Sequence, residues 1–143
     1  MHAASAFTGE GARLFGGRWN SKGSAVVYTA GSASLAVLEL LIHLSSHRVL
    51  EAYRMCEVTF DGSLVEAINA SDLPTHWRSA PAPLELKQIG DAWGRNCSSA
   101  VLRVPSVIVD SEVNYLLSPA HPDFSRIEIN PPKPCQFDPR LLK

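Results

Sequence analysis

Arg18, Tyr28, Glu39 and Ser106 are the side chains whose type and surroundings could do chemistry in this chain. Arg18 follows Gly16 and Gly17, which permit backbone angles that a side chain would forbid. It precedes Trp19 and Asn20, so a planar cation sits beside an aromatic ring and an amide. Glu39 is the only formally charged residue between Gly31 and Leu44. A carboxylate on so apolar a stretch is unfavourable unless it is paired or hydrogen-bonded. A structural pair with an arginine and a catalytic acid both satisfy that condition, and spacing leaves both open. Ser106 can be a nucleophile in principle, but no His/Asp motif accompanies it to make a hydrolase triad. A turn serine after Pro105 and a loop-capping Asn114 are the plain alternatives at those two positions. His43 and His47 stand four apart behind Glu39, yet the His-Glu-x-x-His order of a zinc helix is missing, so no metal is expected.

The elements that must position these groups follow from hydrophobic spacing. Residues 1–15 are small and polar with Gly9 and Gly11, and read as a loop. Ser21-Lys22-Gly23-Ser24 reads as a turn, and 25–29 as a short buried strand rich in β-branched residues. A helix then begins, capped by Ser32 or Ser34, with Leu35, Leu38 and Ile42 at helical spacing and Glu39 on the face of Leu35. Val37, Leu40, Leu41 and Leu44 fill its other sides, which predicts a helix central to the core. Residues 47–51 are a connector, 53–60 alternate as a strand, and 63–83 are mostly loop around Pro74, Pro81 and Pro83. The spacing predicts a helix over 84–96, despite Gly90, with Leu86, Ile89 and Trp93 on one side. Strands are expected at 100–104, 107–109 and 127–129. Short strands mixed with two main helices give an α+β fold.

Composition sets the outer bounds. The 143 residues make one domain, with 45% hydrophobic and 19% charged residues, as in an ordinary soluble protein. A formal net charge of −1 offers no basic stripe, so direct nucleic-acid binding is not expected. Cys56, Cys97 and Cys135 are odd in number and widely spaced, which argues against a disulfide framework or zinc knuckle and for a reducing compartment. No apolar run is long enough to cross a bilayer, and a cytoplasmic protein is expected.

Several separated motifs then occur in one order. Glu10-Gly11-Ala12-Arg13-Leu14-Phe15-Gly16-Gly17-Arg18-Trp19-Asn20 is followed by Val26-Val27-Tyr28-Thr29-Ala30 and by Leu35 to Leu44 around Glu39. Val104-Pro105-Ser106, Asn114-Tyr115-Leu116-Leu117, His121-Pro122-Asp123-Phe124 and Phe137-Asp138-Pro139-Arg140-Leu141 complete the set. Together they resemble the RES domain, the toxin of bacterial RES–Xre toxin–antitoxin modules, from about Phe7 to Leu141. Arg18, Glu39 and Ser106 match the arginine, glutamate and serine that name that family.

The resemblance implies an ADP-ribosyltransferase-like core of two small β-sheets around a dinucleotide cleft. It implies NAD as the substrate, cleaved between nicotinamide and ribose, with inorganic phosphate as a conceivable co-substrate. Glu39 would fix the ribose hydroxyls and face the oxocarbenium-like state, and Arg18 would take the diphosphate through its paired donors. Tyr28 would stack on nicotinamide or ribose, and Ser106, Asn114 and Lys22 would hydrogen-bond in the cleft. Trp19 and Asn20 belong to the same cofactor-binding set, although Trp19 reads as packing first. An Xre-like antitoxin covering the cleft is the implied partner, in a homo- or hetero-oligomer. Family members begin with a strand carrying an arginine, and residues 1–6 cannot supply it, so an exposed sheet edge is expected. Three activities follow: NAD hydrolysis or phosphorolysis, transfer of ADP-ribose to a protein, or an inactive antitoxin-binding module.

Overall fold

The computed structural model describes residues 6–43 and 52–141. The expected connector at 47–51, His47, and the opening residues 1–5 lie outside them. The architecture is α+β, built on a four-stranded sheet and two two-stranded ribbons. The main sheet has the order β1 (Val27–Ala30), β6 (Val113–Leu117), β5 (Val101–Pro105), β4 (Val65–Ala67). Its β1–β6 and β6–β5 pairs are antiparallel and its β4–β5 pair is parallel.

Alternation along these strands fills both faces of the sheet. Leu102, Val104 and Leu116 point into one cluster with Trp19, Val26, Trp77, Leu86 and Trp93. Val101, Leu117 and Val27 point the other way, onto Leu64, Ala100 and Ile127. Full burial on both sides explains why β5 reads as a continuous apolar run broken only by Arg103. Helix α3 (Leu84–Arg95) lays Leu86, Gly90 and Trp93 on the first cluster, at the spacing of one helical stripe.

Several expectations from spacing give way. Residues 10–15 form a short helix, α1 (Glu10–Phe15), instead of a loop, with an Arg13–Glu10 pair one turn apart. Gly11 hid that turn from a propensity reading, because it lowers helix preference without preventing it. The expected strand at 53–60 divides into β2 (Arg54–Met55) and β3 (Val58–Thr59), which pair with β8 (Lys133–Pro134) and β7 (Glu128–Ile129) respectively. The stretch 63–83 contains β4, whose order comes from pairing with β5 and not from its own pattern. Residues 107–109 are not a strand. They belong to a turn that reverses the chain into β6, with the Ser106 amide donating to the Glu112 carbonyl at 3.0 Å.

The helix bearing Glu39, α2 (Ala33–His43), is not central either. Only Leu35 is buried, while Leu38 and Ile42 are 41% and 60% exposed. It packs on β1, at one end of the strand order of the four-stranded sheet, and leaves Leu38 and Ile42 facing outward.

Candidate functional site

Arg18 stands on a loop whose neighbours are fixed from inside. Gly17 and Asn20 pair across a tight bend, with the Gly17 amide donating to the Asn20 carbonyl at 3.0 Å. Gly16 takes a left-handed φ of 75°, which favours glycine. Gly17 meets a different demand: a Cβ there would lie 2.6 Å from the Tyr28 hydroxyl. Asn20 is wholly buried. Its Nδ2 donates to the carbonyls of Ala12, Ser21 and Ser24 at 2.9, 3.1 and 3.1 Å. Its Oδ1 accepts from the Tyr28 hydroxyl at 2.5 Å, and that hydroxyl accepts from the Trp19 amide at 3.1 Å.

Tyr28 therefore plays two parts on β1. Its hydroxyl is turned inward, and burial pushes its pKa up to about 12, so it stays protonated at neutral pH. The residue is still 39% exposed, which leaves part of the ring open to a ligand. Trp19 is 3% exposed and Asn20 fully enclosed, so both side chains are committed to the loop rather than presented to a cofactor. They shape the loop that carries Arg18.

The Arg18 guanidinium is anchored on one side only. Nη1 donates to the carbonyls of Trp77 and Ser79 at 3.0 and 3.2 Å. Nε and Nη2 have no partner among the described residues, so one edge of the fork remains available for paired oxygens. Partial burial lowers the Arg18 pKa, but an arginine keeps its proton at any working pH. Arg18 forms no ion pair with Glu39 among the described residues, which removes the structural pair that spacing had left open.

Glu39 is held by another group. Asn114, on β6, donates from Nδ2 to Glu39 Oε1 at 2.6 Å and to the Thr29 carbonyl at 3.1 Å. The pairing register explains the meeting, because Asn114 lies opposite Ala30 at the end of β1, against which α2 packs. Asn114 is thus not a loop cap: it stands on β6, and its nitrogen ties the carboxylate to the sheet.

Ser106 is 2% exposed, and its Oγ accepts from the amides of Ile108 and Val109 at 3.1 and 3.2 Å. These bonds are those of a turn serine. The turn supports Glu39 indirectly. Glu112, at its far end, accepts from the Ser32 hydroxyl at 2.8 Å, and Ser32 Oγ accepts from the Leu35 amide to cap α2. Ser106 borders a pocket of about 290 Å³ that Arg78, Arg103 and Glu112 also line. Lys22 is exposed and makes no hydrogen bond or ion pair among the described residues.

Residues that sequence reasoning passed over complete the frame. Lys87 donates from Nζ to the Gly17 carbonyl, and Asp91 Oδ1 accepts from the Ser21 amide at 2.9 Å. Gly90 lies so close to Trp19 that an added Cβ would be 1.7 Å from its carbonyl oxygen. The signal was a glycine inside an apolar helical stripe, which marks a close approach but does not name what approaches. No group of three or more His, Cys, Asp or Glu is clustered for a metal ion among the described residues. No helix among them is long and apolar enough to cross a membrane.

The chain is 41% identical over 141 aligned positions to a protein named Toxin Res from Yersinia enterocolitica, covering 98% of this chain and 93% of that one. A Toxin Res from Photorhabdus laumondii is 37% identical over 145 positions, covering 99% and 92%. A protein named Prs ADP-ribosylating toxin, from a Sphingobium species, is 35% identical over 145 positions, covering 99% and 90%. The model of the RES domain matches residues 1–138, and the chain belongs to the RES domain family.

Proposed function

We propose that this protein is a toxin that cleaves NAD between nicotinamide and ribose. The observation that carries the reading is the carboxylate of Glu39, fixed by Asn114 at 2.6 Å beside the strand that presents the open ring of Tyr28. Breaking the bond sends its electron pair to the ring nitrogen of nicotinamide, which leaves neutral. An oxocarbenium ion remains at the ribose, and a preorganised carboxylate stabilises that charge where water cannot reorganise to do so. The free edge of Arg18 takes the diphosphate, the exposed amine of Lys22 adds a cation near it, and the Tyr28 ring stacks on the nicotinamide or ribose. Asn114 aims Glu39. Ser106, Trp19 and Asn20 hold the backbone that carries these groups.

Water attacking the cation gives ADP-ribose and a proton; inorganic phosphate gives ADP-ribose-1″-phosphate. A protein side chain as acceptor is the second reading, favoured by the name of the Sphingobium relative. An Xre-like antitoxin that covers the cleft is the proposed partner. Purified protein incubated with NAD, with and without phosphate and with a cell extract, separates the outcomes by product. Free nicotinamide with ADP-ribose or its phosphate supports the first reading, and labelled protein supports the second. Intact NAD in every arm refutes both.

A further inference from the structure

Helix α3 touches the Arg18 loop at three points on one face. Lys87, Gly90 and Asp91 follow the spacing of neighbouring helical positions. They meet Gly17, Trp19 and Ser21 in the same order. The Gly17 carbonyl belongs to the peptide bond that enters Arg18, and the Ser21 amide lies just beyond Asn20. The loop backbone is therefore gripped on both sides of the arginine by charged side chains. Neither Lys87 nor Asp91 forms an ion pair within 4.0 Å among the described residues: Lys87 holds a loop carbonyl, and Asp91 holds the Ser21 amide and the side chains of Ser21 and Ser24. Burial pushes the Asp91 carboxyl up, but the Ser21 and Ser24 hydrogen bonds and the charge of Arg95 together hold it below its ordinary value.

This matters because the arginine tip is secured by carbonyls from a separate segment, Trp77 and Ser79. Trp77 is itself buried in the cluster that contains Leu86 and Trp93 of α3. Base and tip of Arg18 thus refer to the same helix, by two independent routes.

We propose that Lys87 and Asp91 are positioning residues that hold the Arg18 loop so that the free edge of the guanidinium faces the diphosphate. The proposal rests on the NAD reading for its effect on substrate, but not for its effect on the loop. A hydrogen bond to a charged group contributes about 1.5–3 kcal/mol, so losing one should loosen the loop by at least about tenfold. The loss should fall on binding more than on chemistry, because Glu39 is held by β6 and not by α3.

The test uses Lys87→Met, Asp91→Ala and Asp91→Asn in the full chain, with three readouts. Amide hydrogen exchange over residues 16–24 should speed up about tenfold in the Met and Ala variants. The KM for NAD should rise by a similar factor, with kcat within about threefold of the parent. Asp91→Asn should restore both values towards the parent, since an amide oxygen can still accept from Ser21. Unchanged exchange in Lys87→Met and Asp91→Ala overturns the proposal. So does a lowered melting temperature with KM unchanged in the folded protein, which would make the two residues simple stabilisers. If the parent consumes no NAD, the functional reading fails by itself, and the exchange arm still decides whether α3 holds the loop.

Discussion

Two glycines on α3 allow one packing contact to be weighed against helix propensity. Gly90 and Gly94 lie one turn apart on the same helix. A Cβ on Gly94 meets nothing within 4 Å, whereas one on Gly90 would fall 1.7 Å from the Trp19 carbonyl oxygen and 2.8 Å from its carbon. Ordinary contact begins at 3.4 Å, so Gly90→Ala forces the helix and the Trp19 backbone apart by about 1.7 Å. Alanine in place of glycine gains at most about 1 kcal/mol of helix propensity at either position. At Gly90 that gain is opposed by overpacking of about 1–3 kcal/mol. Weakening of the flanking Lys87 and Asp91 hydrogen bonds adds about 1 kcal/mol each. The net expectation is a loss of about 2–4 kcal/mol for Gly90→Ala and a gain of up to about 1 kcal/mol for Gly94→Ala. For a chain of 143 residues each kcal/mol moves the melting temperature by roughly 3 °C. Calorimetry should therefore show Gly90→Ala melting about 6–12 °C below the parent and Gly94→Ala at or a few degrees above it. Equal melting temperatures for the two variants would refute the close approach of α3 to Trp19, and with it the reason a glycine stands at that position.

Glu39→Gln keeps the shape of the side chain but removes the charge that faces the ribose cation, and should lower NAD turnover by about 3 kcal/mol, on the order of a hundredfold, with little change in melting temperature. Asn114→Ala frees the carboxylate from β6 and should cost about tenfold in kcat; parent-like turnover there would show that Glu39 needs no holder. Tyr28→Phe tests alkaline stability. The hydroxyl is neutral in both states below pH 10, whereas between about 10 and 12 the unfolded chain ionises and the folded one does not, so stability falls as pH rises through that window. Discounted for solvent screening of a residue 39% exposed, the parent should lose about 1–2 kcal/mol there, and the Phe variant, already weakened at neutral pH, should lack that slope in urea titrations. Ser106→Ala removes the acceptor for two amides in a buried turn and should lower stability by about 1–3 kcal/mol while NAD turnover per folded molecule stays near the parent's. A hundredfold loss of turnover at unchanged stability would return Ser106 to the chemistry.

What the sequence determined by itself was local. Apolar period placed α2 and α3 to within a residue or two, with a serine cap marking the start of α2, because a helix closes its hydrogen bonds within its own segment. The order of motifs around Arg18, Glu39 and Ser106 was enough to indicate the family, because those residues are named by type and spacing alone. Tertiary structure decided everything that depended on a distant partner. Residues 107–109 and 113–117 are both apolar and strand-like, and only antiparallel pairing with β5 selects the second as β6. The spacing of α2 suggested burial all round, yet its place against the edge strand β1 leaves Ile42 open. Glu39 could have met Arg18 as far as spacing showed, and the β1–β6 register gave it Asn114 instead. Gly90 looked like a flaw in a helix until the Trp19 backbone was found against it. A hydrogen bond or close contact between residues 70 apart in the chain, as between Lys87 and Gly17, leaves no period in the sequence, since its geometry exists only after the core has brought the two segments together.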